Sequence, residues 1–294
     1  MAFADWQCRL GGLDFGTGTP YRLSAFDAGK PQTRTQDTQL PGEDGQRNGV
    51  DHLSGTVVKV SIGIVAHDPE TAMGLLADLR GVWNGDTLRS TPGAVTTLTY
   101  QRPGAFSRVV YGRPRRFDPA TMSNVASGYI PIEADFQADD DLFYADTASS
   151  LTITGDPISY QGTAGTVPPH VPPVTLAEAI LPSDVAVNAG TAATWPIITF
   201  HGPRARPSVE YVGTDRSLRL ATVLDAGLSV TVDTRPWMRT VTRSDGASLA
   251  GYLRGSRLAD MGLQPGDTQI SFGGTDATLT SSVDINWRDA WTSL

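Results

Sequence analysis

A single cysteine, Cys8, stands in the whole chain, so no intramolecular disulfide can form and no cysteine cage can hold a metal. The fold must rest on packing. Only 18% of the 294 residues are charged, and they leave a net charge of −8. Broad phosphate-backbone binding needs a basic face that displaces counterions, so nucleic acid is not expected as a partner. No apolar run is long enough to span a bilayer, and the N-terminus has no charged leader followed by an apolar core and a small-residue cleavage site. Neither a membrane partner nor export through a signal peptide is expected.

Chemistry-bearing motifs are also missing. The four histidines, His52, His67, His170 and His201, form no i,i+4 pair and have no neighbouring cysteine, so no metal site is expected. His67, before a helix, and His201, at a strand end, read as surface or capping residues. Gly16-Thr17-Gly18 is a fragment of a nucleotide-binding pattern, but Pro20 and a strand-like run follow where phosphate binding would need a helix N-terminus. There is no Gly-x-Ser-x-Gly elbow, and no carboxylate pair is marked out for glycoside cleavage. No catalytic residue and no cofactor are expected.

What the chain does have is turns: 31 glycines and 20 prolines, in a composition too low in charge for disorder. The length suits two domains of ordinary size. From Trp6 to Phe26 extended segments break at Gly11-Gly12, Gly16-Thr17-Gly18 and Thr19-Pro20. A polar stretch, Gly29 to Asp51, contains Pro41-Gly42-Glu43-Asp44-Gly45 and Asn48-Gly49, and reads as a hairpin tip or long loop. In His52 to Ala66, Val58, Val60, Ile62 and Ile64 alternate with polar residues, predicting a half-buried strand.

Asp68-Pro69-Glu70 predicts a helix start, because Asp accepts from free first-turn amides and Pro lacks the donor that would go unused. Ala72, Leu75, Leu76, Leu79, Val82 and Trp83 recur at helical spacing, giving a helix over 69–83 that Asn84-Gly85 stops. Val95 to Tyr100, Phe106 to Tyr111 and Gly128 to Phe136 return to strand composition. Arg113, Arg115 and Arg116 read as a solvated strand end. Residues 1–140 are thus expected as a β-sandwich with one helix, and 141–173 as an acidic, then Pro/Gly-rich linker. The run Asp139-Asp140-Asp141 is either solvated acidic chain or an irregular hard-cation site, since it lacks EF-hand spacing.

Residues 174–294 read as a second sandwich. Short β-like runs follow one another from Thr194 to Gly274, including Ser217–Leu220, Gly227–Thr234 and Met238–Thr242. Trp195, Trp237, Trp287 and Trp291 raise the question of sugar stacking. Core packing is the plainer reading for Trp195 and Trp287, and Trp237, in Arg235-Pro236-Trp237, is the better exposed candidate.

The order of phrases in this half is more specific than its strand count: Asn188-Ala189-Gly190-Thr191, Trp195-Pro196, Gly202-Pro203, Val232-Asp233-Thr234, Leu263-Gln264-Pro265-Gly266 and Asn286-Trp287-Arg288. It resembles the C-terminal domain of siphophage distal tail proteins. The N-terminal half is similar to that family's ring-forming domain in element order, with Pro41, Gly42, Glu43, Asp44 and Gly45 where the family carries a glycine-bearing loop. The resemblance implies a mainly β chain, with a tail-tube-like N-terminal domain and a galectin-like C-terminal sandwich. It implies a non-enzymatic virion protein, assembled in the bacterial cytoplasm, that forms a six-fold ring at the tail tip. Its partners would be copies of itself, the tail tube and the tail-tip hub, with a receptor-binding protein or host glycan at the outer domain. A carbohydrate-binding adhesion module is the alternative, and a glycan-cleaving enzyme a third reading.

Overall fold

The computed structural model describes residues 4–31, 33–42, 44–104, 106–155, 159–160 and 179–294. It divides into two compact units, Met1–Asp146 with Trp291–Leu294, and Thr147–Ala290. Architecture is mainly β in both.

The first unit opens with β1 (Gln7–Leu10), β2 (Leu13–Gly16) and β3 (Tyr21–Asp27), followed by four two-residue strands, β4 (Thr33–Arg34), β5 (Thr38–Gln39), β6 (Gln46–Arg47) and β7 (His52–Leu53). Then come β8 (Val57–Val65), the helices α1 (Pro69–Asn84) and α2 (Asp86–Ser90), and strands β9 (Thr96–Gln101), β10 (Ser107–Pro119), β11 (Tyr129–Ala138) and β12 (Phe143–Ala145). The main sheet runs β2-β1-β9-β10-β11-β8-β3, with β12 added on β10. It is one hydrogen-bonded sheet that curls so that its end strands, β2 and β3, approach each other. A bulge at Arg115-Arg116, between the paired Pro114 and Phe117, bends the long β10.

The alternation in β8 works as the sequence predicts. Val58, Val60, Ile62 and Ile64 are buried, and Lys59 and Ser61 lie on the other face. Gly63 leaves room for the Tyr129 ring, which a Cβ there would meet at 3.0 Å. On the core side α1 buries Ala72, Leu76, Leu79 and Trp83, four of the six residues of the predicted face, while Leu75 and Val82 pack at its margin. Asp68 caps the helix by accepting from the Thr71 amide and hydroxyl, both at 2.7 Å, and Gly85 ends it in the left-handed region at φ 51°. The single-turn helix α2 follows from that stop and was not legible in the sequence.

The second unit contains β13 (Ser149–Thr154), β14 (Ser159–Tyr160), β15 (Ala179–Ile180), β16 (Ser183–Asn188), β17 (Ile197–His201), β18 (Arg204–Tyr211), β19 (Ser217–Leu220), β20 (Val223–Leu224), β21 (Ser229–Asp233), β22 (Thr240–Arg243), β23 (Leu253–Gly255), β24 (Gly266–Thr275) and β25 (Ser282–Trp287). One sheet runs β13-β25-β17-β21-β22, another β16-β24-β18-β19-β23 with β20 on β18, and β14 pairs β15. A shared core of Ile198, Phe200, Val230, Val232, Val283 and Ile285 from the first sheet, and Val209, Leu218, Ile270 and Phe272 from the second, makes this a sandwich. Phe200 and Phe272 meet in it with ring centroids 6.3 Å apart. The buried Arg204 lies over Phe272 and donates to the Gly273 carbonyl and the Ser281 hydroxyl, both at 2.8 Å.

The segment expected as a linker, 141–173, is strand in its first part. Residues 143–145 are β12 and 149–154 are β13, which pairs with β25 along its whole length. The alternation in Leu151-Thr152-Ile153 supplies the buried Ile153, which breaker counting overlooked. The Pro-rich part, including His170, lies outside the described residues.

Candidate functional site

The sequence-nominated loop forms an arm. Beyond Gly29 the chain runs out and back as a ribbon, pairing Thr33 with Leu53, Arg34 with His52, Thr38 with Arg47 and Gln39 with Gln46. Leu40 to Gly45 is its tip, with Gly42 and Gly45 at φ 82° and 118°, backbone that other residues rarely adopt. Asp37 braces the middle, accepting from the Gly49 amide at 3.0 Å. Of the nominated residues, Pro41, Gly42, Asp44 and Gly45 sit at the tip, and Glu43 lies outside the described residues.

Every described residue from Lys30 to Leu53 is exposed. Val50 is 65% exposed, Leu53 56% and Leu40 40%, so even the apolar residues find no cover. An isolated two-stranded ribbon is marginal in water, because it orders backbone without burying a face. Open strand edges of that kind are ready templates for pairing with another chain.

The root of the arm is held closely. A Cβ at Gly29 would lie 2.3 Å from the Val57 carbonyl, and one at Gly55 2.2 Å from the Ala138 carbonyl, so glycine permits both approaches. Thr56 is buried, and its carbonyl accepts from the Ala138 amide at 2.7 Å. A cavity of about 240 Å³ opens beside the root, lined by Ala28, Gly29, Pro31, Phe143 and the C-terminal Leu294 among others.

The neighbouring acidic run is only partly solvated: Asp139 is exposed, whereas Asp140 and Asp141 are half-buried. Burial lifts the Asp140 carboxyl from 3.8 to about 6, against the opposing hydrogen bonds it accepts from the Tyr144 hydroxyl and the Leu142 amide. The Tyr144 hydroxyl is pushed far above its ordinary range by burial and by Asp140. Among the described residues no cluster of His, Cys, Asp and Glu is arranged to hold a metal ion. Arg113 likewise differs from a solvated strand end. Its guanidinium donates to the Ala94 and Thr91 carbonyls and closes the loop before β9, while Arg116 pairs with Asp118 at 2.6 Å.

Trp237 is half-buried rather than exposed, with the Arg235 guanidinium 5.8 Å from its ring centroid. Arg235 is itself fastened to the buried Asp233. Trp287 is buried and donates to the Val187 carbonyl. Trp195 is half-buried at the edge of a groove that the sequence did not reveal. His67 pairs with Asp68 and His201 with Asp284, at 2.6 and 2.9 Å. No helix among the described residues is long and apolar enough to cross a membrane.

No protein-family model and no curated protein matches the chain. Solved structures do. The crystal structure of the SPP1 Dit (gp 19.1) protein, described as a paradigm of hub adsorption apparatus in phages infecting Gram-positive hosts, aligns with a TM-score of 0.54 over 95% of this chain and 97% of that one, at 14% identity. The chain shares the fold of SPP1 Dit. A chain of the phage p2 baseplate in its activated conformation with Ca aligns with a TM-score of 0.53 at 13% identity, and the corresponding structure with Sr with 0.54 at 13%, each over 95% of this chain and 97% of the other. The likeness in fold covers both units and agrees with the resemblance to siphophage distal tail proteins carried by the sequence phrases.

Proposed function

We propose that the chain is a structural component of a phage tail tip, building a six-fold ring of identical copies that joins the tail tube to the tail-tip hub. The observation that carries this reading is the arm: a ribbon from Lys30 to Leu53 whose described residues bury no face, rooted through glycines in a well-packed sheet. Such a segment repays its ordering when a second molecule covers it. In a ring, the arm of each copy lies on the next copy in a heterologous contact, and closure needs only that the rotation per copy divide the circle. The shared fold supports the reading, since SPP1 Dit is described as part of a hub adsorption apparatus and the p2 chains belong to a baseplate.

The role is architectural and not enzymatic. The second unit faces a receptor-binding protein or a host glycan, and assembly takes place in the bacterial cytoplasm before the particle is released. The test is the mass of the purified chain in solution with the arm intact and with Thr35–Asp51 replaced by Asn-Gly, which closes a tight hairpin between the paired Arg34 and His52. The intact chain is expected to form rings visible by negative stain and the shortened chain to remain monomeric. Rings of equal size from both chains would remove the arm from the interface.

A further inference from the structure

The second unit holds an open groove of about 670 Å³, within the size range of small-ligand sites. Trp195 forms part of its wall. The ring is held from three sides. Its neighbour Thr194 exchanges backbone hydrogen bonds with Leu263 at 3.0 and 2.7 Å, its own indole N–H donates to the Ala259 carbonyl at 2.9 Å, and the ring rests near Gly262, where a Cβ would stand 3.4 Å from Cε2 and Nε1. With the N–H already used, the part of the indole left open to the groove offers apolar π surface and no donor. A rigid aromatic of this kind contributes contact area at small entropic cost.

Around it stand the exposed polar groups Thr214, Asp215, Asp260 and Gln264. The carboxylates of Asp215 and Asp260 and the amide of Gln264 make no side-chain hydrogen bond to the described residues. Carboxylates accept and the amide both accepts and donates, a complement matched to a ring of hydroxyl groups. Arg216, the one cation among the described residues lining the groove, donates to the Gly262 carbonyl at 3.2 Å and so braces the floor. Two carboxylates and a net charge of −8 disfavour an anionic ligand. A flat apolar wall flanked by hydroxyl acceptors suits a pyranose, which has one C–H-rich face and an equatorial rim of hydroxyls.

We infer that the groove of Trp195, Asp215, Asp260 and Gln264 binds a neutral saccharide, the ring stacking on the indole and its hydroxyls donating to the two carboxylates. The inference rests on the reading of the second unit as facing a host glycan, and the site belongs to that unit alone and does not depend on ring assembly.

The test is a glycan array probed with the full-length chain, followed by calorimetric titration with the neutral oligosaccharide that binds best and with a sialylated oligosaccharide as the anionic control. Saturable binding of a neutral glycan is expected, with none of the sialylated one. Trp195→Ala should weaken it roughly tenfold or more. Because Trp195 also packs, the exposed pair Asp260→Ala with Gln264→Ala serves as the second variant, expected to weaken binding several-fold with an unchanged melting temperature. The arm-shortened chain should bind as the intact chain does, which separates this site from the ring. Absence of any neutral glycan among the binders, or binding that both groove variants leave intact, overturns the assignment. So does a groove that takes up peptide and no sugar.

Discussion

Two stretches separated by only a few residues, the arm from Lys30 to Leu53 and the strand β8 from Val57 to Val65, both run extended and fare in opposite ways. In β8 every second side chain from Val58 to Ile64 is buried, and two neighbouring strands satisfy its backbone. In the arm no described side chain is buried, and each short strand has one partner. The difference lies in the sequence period. Alternating apolar residues give β8 a face to bury, worth about 1.5–3 kcal/mol for each large side chain. The arm has Thr, Gln, Asp, Gly and Pro in no such period, and its apolar residues are scattered. One stretch stabilises its own unit, whereas the described residues of the other find no face of that unit to bury against.

The largest break in this contrast should come from the packed side. Trp83→Ala removes an almost wholly buried ring between α1 and the sheet, and should cost about 3–5 kcal/mol in a chemical denaturation experiment. Ile62→Ala in β8 should cost about 2–5 kcal/mol by the same measurement. Asp68→Ala, which strips the cap from α1, should cost about 1 kcal/mol. Shortening the arm should change stability by less than about 0.5 kcal/mol, because every described residue it removes is exposed. A large loss on shortening would mean that the arm supports its own unit, and would undo the comparison.

The root of the arm adds a pH dependence. The folded Asp140 carboxyl titrates near 6 and the unfolded one near 3.8. Between those values the folded chain holds a proton that the unfolded chain has released. Stability contributed by this group is therefore present below about pH 4 and is lost as the pH rises through 6. Asp140→Asn should flatten that part of a melting-temperature profile measured between pH 4 and 7. An unchanged slope would show that Asp140 is not the group responsible.

How much of this was legible depended on whether function left a periodic mark. Strand β8, helix α1 with its Asp68 and Gly85 ends, and the short strands of the second unit were readable because burial imposes period 2 or 3.6 on side chains. The arm was readable as turns, through Pro41-Gly42 and Asn48-Gly49, but its ribbon pairing was not, since polar residues specify register weakly. The Trp195 groove was hidden. Its walls come from residues as far apart as 195, 215 and 260, and Trp195 alone reads as a core residue. Trp237 is half-buried where exposure was expected: its near neighbours Asp233 and Arg235 stand in the sequence, but the way the turn sets the ring does not show there. The strands at 143–145 and 149–154 were missed because an acidic run and nearby breakers outweighed a short alternation.

The central claim is that the arm serves a neighbouring copy, and light scattering on the intact and arm-shortened chains, with negative-stain imaging of any large species, tests it most directly. The account predicts a six-fold ring from the intact chain and a monomer of unchanged melting temperature from the shortened one. A monomer from the intact chain at every concentration, or an undiminished ring from the shortened chain, would contradict it.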